Sequence, residues 1–425
     1  MIQRTFVWCL AGVAAFCLLT GGGESRAGEG KRSDLTLKEL LGKKMFFDNE
    51  LSTPRGQACA ACHGPRVGWT GPDPHINQTG GVYEGAVKRR FGNRKPPTSA
   101  YATFSPIFHF DAAKELFVGG LFWDGRATGA RLGSAAAEQA QGPFLNPLEQ
   151  NMASPQMVCR TIEEQSYAGL FTQVFGEGSL DCSSSRIANT YDLIAFAIAA
   201  YEASPESSQF SSKFDAWTQG RAQLSREEMR GWELFNGKAK CAQCHPAKPL
   251  AEGTPVLFTD YTYDNLGIPK NRMNPFYNMP PEFNPDGENF VDKGLGEFLR
   301  HSGDPAWMAK ADANDGKMKV PTVRNVAKHP GKGDRFPKAY THNGYFKTLK
   351  GLVHFYNTRD VKPACADPLT PEASALAQQC WPAPEVAANV NKIELGNLGL
   401  TSTEEDMIVA FLKTLSDGFM EREHQ

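Results

Sequence analysis

The chain has 425 residues, 45 of them Lys or Arg against 47 Asp or Glu, for a formal net charge of −2; a length of this order supports two domains, each with its own core. So small a net charge supplies no field to attract nucleic acid and leaves a protein or a small molecule as the expected partner. The 41 glycines and 28 prolines predict long irregular connections between helices.

At the N-terminus, Arg4, the apolar run Phe6 to Leu19, three glycines from Gly21 and the small-residue site Ser25-Arg26-Ala27 read as a secretory signal peptide over residues 1–27. An exported, periplasmic protein is expected. The run is too short for stable membrane insertion, and neither Cys9 nor Cys17 has the preceding residue of a lipoprotein site.

Next comes a duplication. Leu35-Thr36-x-x-Glu39-x-x-Gly42 and Leu224-Ser225-x-x-Glu228-x-x-Gly231 match at a constant offset of 189 residues. Thr36 with Glu39 and Ser225 with Glu228 have capping-box spacing, so each copy should open a helix. Each leads into a second repeated element, Cys59-Ala60-Ala61-Cys62-His63 and Cys241-Ala242-Gln243-Cys244-His245. These are two Cys-x-x-Cys-His motifs, at which a chain attaches haem through two thioethers and offers a histidine to the iron. Two copies behind an export signal outweigh a zinc reading.

Phe122-Trp123-Asp124-Gly125 in the first half is echoed by Thr341-His342-Asn343-Gly344 in the second. Asn189 to Ala203 is a strong helical stretch that Ser204-Pro205 stops, and residues 206–223 form a boundary segment whose Phe210, Phe214 and Trp217 should pack against something. Outside the signal and the haem motifs remain Cys159, Cys182, Cys365 and Cys380; in an oxidising compartment local pairs would close loops worth roughly 3 kcal/mol each. The Pro-rich segments 269–287 and 362–384 read as loops or short turns. Thr348 to Asn357 should be a helix, and Glu404 to Leu415, capped by Thr401 or Ser402, closes the chain.

The echo of Trp123 in His342 allows the far sides of the two haems to be compared. Tyr356 stands fourteen residues after His342, and a tyrosine can ligate iron; His354 is a rival two residues away, and on a helix the two face nearly opposite ways. After Trp123, allowing an insertion of about six residues, the corresponding place falls on Pro143, which has no side-chain donor. The second haem would then be six-coordinate and the first open to peroxide. Glu149 follows closely enough to act there as acid and base, and Gln139 to orient a distal water.

With these residues assembled, the chain resembles the bacterial dihaem cytochrome c peroxidase and MauG superfamily over nearly all of its mature length. The shared landmarks are the two haem motifs, Phe122-Trp123-Asp124-Gly125-Arg126, Gly142-Pro143 with Pro147-x-Glu149, Pro321-Thr322-Val323-Arg324-Asn325 and His342-Asn343-Gly344. The resemblance implies a mainly α fold of two tandem cytochrome c-like domains with long irregular loops. Residues 28–205 would carry the peroxidatic haem, and 206–425 the six-coordinate one. It also implies that Trp123 lies between the haems and carries charge.

Within the superfamily, tyrosine at Tyr356 where cytochrome c peroxidases have methionine, and the lack of any histidine between Gly80 and Thr98, resemble the MauG-like, MbnH-type branch. A phenolate favours ferric and higher states, and axial ligands move haem potentials across about 0.8 V. That branch implies a high-valent (bis-ferryl) state made from hydrogen peroxide, and a secreted substrate protein whose tryptophan it oxidises. The alternative is peroxide reduction with electrons from a small cytochrome or copper protein. Where MauG has a surface tryptophan, two residues before the second motif, this chain has Ala239; Trp232 and Phe235 are the nearest aromatic substitutes. The family also implies a calcium ion between the domains. Asn93 and the carbonyls of Pro337 and Ala339 are its candidate ligands here, with Lys95 at the asparagine position of the family's Arg-Asn-x-Pro pattern.

Overall fold

Capping decides where the helices begin. In the computed structural model, which describes residues 34–331 and 336–420, both predicted capping boxes are formed: Thr36 with Glu39 opens the Leu37–Phe46 helix, and Ser225 with Glu228 opens Arg226–Asn236. Each helix crosses the one that ends its half, Ile187–Ala203 or Ser402–Lys413. The crossings are so close that a Cβ on Gly42 would lie 1.9 Å from the Ala197 carbonyl oxygen, and one on Gly231 1.9 Å from that of Met407. The duplicated glycine is therefore a packing requirement, met twice in the same way.

One buried core gathers Leu41, Met45, Phe46, Ile194, Ile198 and Tyr201 around the first pair. A second gathers Leu234, Phe235, Phe258, Ile408, Phe411 and Leu412 around the other. Phe214 belongs to that second core, carried on a short helix Lys213–Thr218 inside the expected boundary segment. Buried Arg324 donates to both carboxylate oxygens of Asp215, at 2.8 and 3.0 Å, beneath it.

The molecule is mainly helical, with two small two-stranded antiparallel sheets, His109–Asp111 with Leu116–Val118 and Tyr263–Asp264 with Met318–Lys319. Long irregular segments fill the remainder. One difference from expectation, and one further feature, concern proline. Segment 362–384 contains a helix, Glu372–Gln378, because Pro371 takes the N-cap place, ahead of the first helical N–H. Pro143 lies inside the Ala135–Leu145 helix, near its C-terminal end.

Cys159 is bonded to Cys182 and Cys365 to Cys380. No helix among the described residues is long and apolar enough to cross a membrane; the expected signal peptide, 1–27, lies outside them.

Candidate functional site

Both Cys-x-x-Cys-His motifs fold as a single 3-10 turn, Cys59–Ala61 and Cys241–Gln243, leading into the histidine. Each turn forms a wall of a large cavity. The first encloses about 1320 Å³ of empty space including its mouth, the second about 1430 Å³. The four motif cysteines are free thiols, while the other four described cysteines are paired. Burial pushes Cys59 and Cys241 up to about 12, so both stand as neutral thiols in the empty cavities.

The histidines are prepared as ligands. His63 Nδ1 lies 3.3 Å from the Trp69 carbonyl and His245 Nδ1 2.9 Å from that of Phe258. Trp69 and Phe258 are 189 positions apart, the offset of the duplication, and both have positive φ, which turns their carbonyls inward. Such a contact selects the Nδ1–H tautomer and leaves the Nε2 lone pair for a metal. Burial holds His63 down to about 4 and lowers His245 as well, so both rings are neutral. Paired thiols, a neutral imidazole and a roomy cavity fit covalent haem at both places.

The first cavity is lined by Gln139, Pro143 and Glu149 together with Cys59, Cys62 and His63. Burial raises the Glu149 carboxyl above the ordinary glutamate range, against the opposing pull of Arg126 and of an N–H donated by Asn146 at 2.9 Å. Pro143 gives this wall no donor.

Tyr356 lines the second cavity with Cys241, Cys244 and His245. Burial raises its phenol well above 10, the nearby motif cysteines adding to the effect. His354 points elsewhere: its Nδ1 meets the buried Glu405 carboxylate at 2.8 Å, and it is not part of the cavity wall. His342 also lines this cavity, as does Met318, whose position its sequence context did not reveal. His342 Nε2 is buried without a hydrogen-bond partner, 3.9 Å from Glu385 Oε2. Ala239 and Phe235 are in the wall too, whereas Trp232 packs on Trp217 with ring centroids 5.6 Å apart.

Trp123 lines both cavities. Its indole N–H donates to the Lys95 carbonyl at 2.8 Å, and its ring meets His342 edge to face at 6.4 Å. The turns that carry these two rings repeat each other: Leu121 bridges Ala127 and Tyr340 bridges Phe346, with positive φ at Phe122, Gly125, Thr341 and Gly344. Arg94 secures the same region, donating to Asp292 at 2.7 Å and to Asp124 at 2.6 Å.

Two of the expected calcium ligands have partners within the protein. The Asn93 carbonyl accepts from Asn274 at 2.8 Å, the Pro337 carbonyl accepts from Asn77 at 3.2 Å, and Ala339 packs on Gly81. Lysine Nζ atoms take up neighbouring backbone carbonyls, those of Pro96, Val67 and Gly344 among them.

Residues 36–223 match the family model for di-haem cytochrome c peroxidase. The chain is 34% identical over 382 residues to the methylamine utilization protein MauG of Paracoccus denitrificans, covering 89% of this chain and 88% of that protein. It is 28% identical to a cytochrome-c peroxidase of Denitromonas iodatirespirans, over 89% of this chain and 81% of the relative. Among solved structures, the diheme peroxidase BthA from Burkholderia thailandensis E264 superposes with a TM-score of 0.70 at 29% identity, covering 89% of this chain and 86% of that one. With the two haem motifs set in matching cavities, these likenesses show that the chain belongs to the di-haem cytochrome c peroxidase and MauG family of haem oxidoreductases.

Proposed function

We propose that this protein uses hydrogen peroxide to oxidise a tryptophan of a secreted partner protein, in the manner of a MauG-like enzyme. The observation that carries the reading is the asymmetry of the two cavities: Tyr356 lines the second, and the first has Pro143 and a half-buried Glu149. Cys59, Cys62 and His63 would hold one haem, and Cys241, Cys244, His245 and Tyr356 the other. When bound, the haems supply the redox chemistry, accepting two oxidising equivalents from peroxide and releasing them one electron at a time.

The chain's own residues do the remainder. Glu149, kept protonated to higher pH than a solvated glutamate, exchanges one proton: it takes it from the peroxide oxygen that binds and returns it to the oxygen that leaves as water. Gln139 orients that oxygen. Trp123, held by the Lys95 carbonyl, passes charge between the two sites. Burial keeps Tyr356 neutral unaided; ionising even a solvated phenol at neutral pH requires about 4 kcal/mol, and bonding to ferric iron would supply that and the added cost of burial.

The alternative is a peroxidase fed by a small cytochrome or copper protein. The buried Ala239 two residues ahead of the second motif favours it, because that place offers a partner no aromatic relay. One experiment separates the readings. Stoichiometric peroxide is added to the fully oxidised protein without reductant, and haem absorption and Mössbauer spectra are followed. Oxidation spread over both irons and persisting until a partner is added is expected. No reaction until the second haem is reduced would replace this reading with the peroxidase.

A further inference from the structure

The seam between the two haem-bearing halves contains three buried or half-buried lysines. Lys338 Nζ donates to three backbone carbonyls, Val67 at 2.9 Å, Asn325 at 3.3 Å and Lys328 at 2.9 Å. Lys347 Nζ donates to the carbonyls of Thr79 at 2.5 Å and Gly344 at 2.6 Å. Lys95 Nζ donates to Thr70 Oγ1 at 2.7 Å and to the Pro96 carbonyl at 2.9 Å. Lys338 and Lys347 each join a carbonyl of the first half to one of the second.

Three carbonyl acceptors around one nitrogen call for three N–H donors, which the ammonium has and the neutral amine lacks. Burial opposes that charge, and the charges nearest to Lys338 are other lysines, Lys95 and Lys328; the carbonyl oxygens are what compensate it. A ring of backbone oxygens drawn from two halves of a chain is also what a calcium ion would require, at six to eight oxygens. Here the carbonyls of Val67, Asn325 and Lys328 face Lys338 Nζ, and those of Thr79 and Gly344 face Lys347 Nζ. A divalent cation entering beside Lys338 would meet like charge in a region of low dielectric.

We propose that the chain's own lysine side chains, Lys338 as its ammonium together with Lys95 and Lys347, hold this seam in place of a bound divalent cation, and that the protein takes up no calcium there. Lys95 is the central case. Its backbone N–H donates to the His342 carbonyl at 2.7 Å and its carbonyl receives the Trp123 indole N–H at 2.8 Å, so the same residue holds the Trp123 ring and the His342 backbone between the cavities. A cation supplied by the chain cannot be lost to a chelator.

The test uses the two-haem protein, purified with calcium present and then dialysed. Metal analysis is expected to find no stoichiometric calcium, and excess chelator to leave Tm and the haem spectra unchanged. Retained stoichiometric calcium, or a chelator-induced fall in Tm that calcium reverses, would overturn the proposal. In a second measurement, Lys338→Met is expected to lower Tm by several degrees with no recovery in millimolar calcium. An unchanged Tm would show that the ammonium holds nothing. Should Lys338→Met fail to yield folded protein, Lys347→Met, which removes two carbonyl contacts rather than three, is read in the same way.

Discussion

Trp123 and His342 occupy the same position in two copies of one turn, and they meet edge to face with ring centroids 6.4 Å apart. The duplication has thus brought its own two copies into contact at the point where both cavities share a wall. Trp123→Phe keeps the ring and removes the N–H that the Lys95 carbonyl receives. The expected loss of stability is about 1 kcal/mol, measured by chemical denaturation. The larger expected effect is on communication: after peroxide addition, oxidation should stay at one haem, and an even spread in the variant would remove Trp123 from the route.

Tyr356 and His354 predict opposite outcomes. Tyr356→Met should raise the midpoint potential of the second haem by on the order of 0.1 V or more, because a thioether favours ferrous iron and a phenolate does not. His354→Ala should leave that potential unchanged and cost about 1–2 kcal/mol, since it removes the Nδ1 contact of buried Glu405. Met318→Leu is the control for a further cavity-lining donor. Spectroelectrochemistry distinguishes the three, and a potential that moves only with Met318 or His354 would reassign the ligand.

Glu149→Gln should slow peroxide activation by about 10²–10⁴-fold, the usual range for a lost general acid–base. The pH profile gives a sharper reading. Burial raises the Glu149 carboxyl, so the carboxylate that takes the peroxide proton is depleted as pH falls through a range above that of an ordinary glutamate. The wild-type rate should therefore decline on the acid side, and the variant's rate should not. Stopped-flow absorption at several pH values shows whether that limb disappears.

Gly42→Ala and Gly231→Ala should each destabilise the protein by about 3 kcal/mol or more, because the new methyl group would overlap a backbone carbonyl of the crossing helix. Equal losses in thermal or chemical denaturation would confirm that the two crossings are the same construction.

Glu202 is 4% exposed, and burial raises its carboxyl to about 8. In the unfolded chain the same group titrates near about 4.3. Its folded pKa is raised, so its contribution to stability is fully present below about pH 4.3 and is lost as pH rises to about 8. Glu202→Gln has no charge to desolvate and should be more stable than the parent by about 4–5 kcal/mol at pH 8, with the difference vanishing near pH 4. Unfolding curves at the two pH values check the sign.

Local pattern made several features legible without coordinates. Capping boxes act over three residues, haem attachment over five, and both disulfides close short loops, so the Thr36 and Ser225 helix starts, the two motifs and the cysteine pairs could be read from spacing. The helix of 372–378 was missed because prolines on either side of it read as loop, although proline at the N-cap place is compatible with the turn that follows. Other features depend on distant segments meeting. Helix phase alone left Tyr356 and His354 as rivals; the wall of the second cavity and the carboxylate of Glu405 separate them. Lys95 could be seen only as a departure from a pattern, because the Thr70 hydroxyl and the neighbouring lysines reach it through the fold. The sequence by itself determined the covalent chemistry, since two thiols and an imidazole at fixed spacing suffice to specify it. The tertiary structure decided which groups face each cavity and which charge holds the halves together, because burial and long-range carbonyl contacts exist only once the two copies pack.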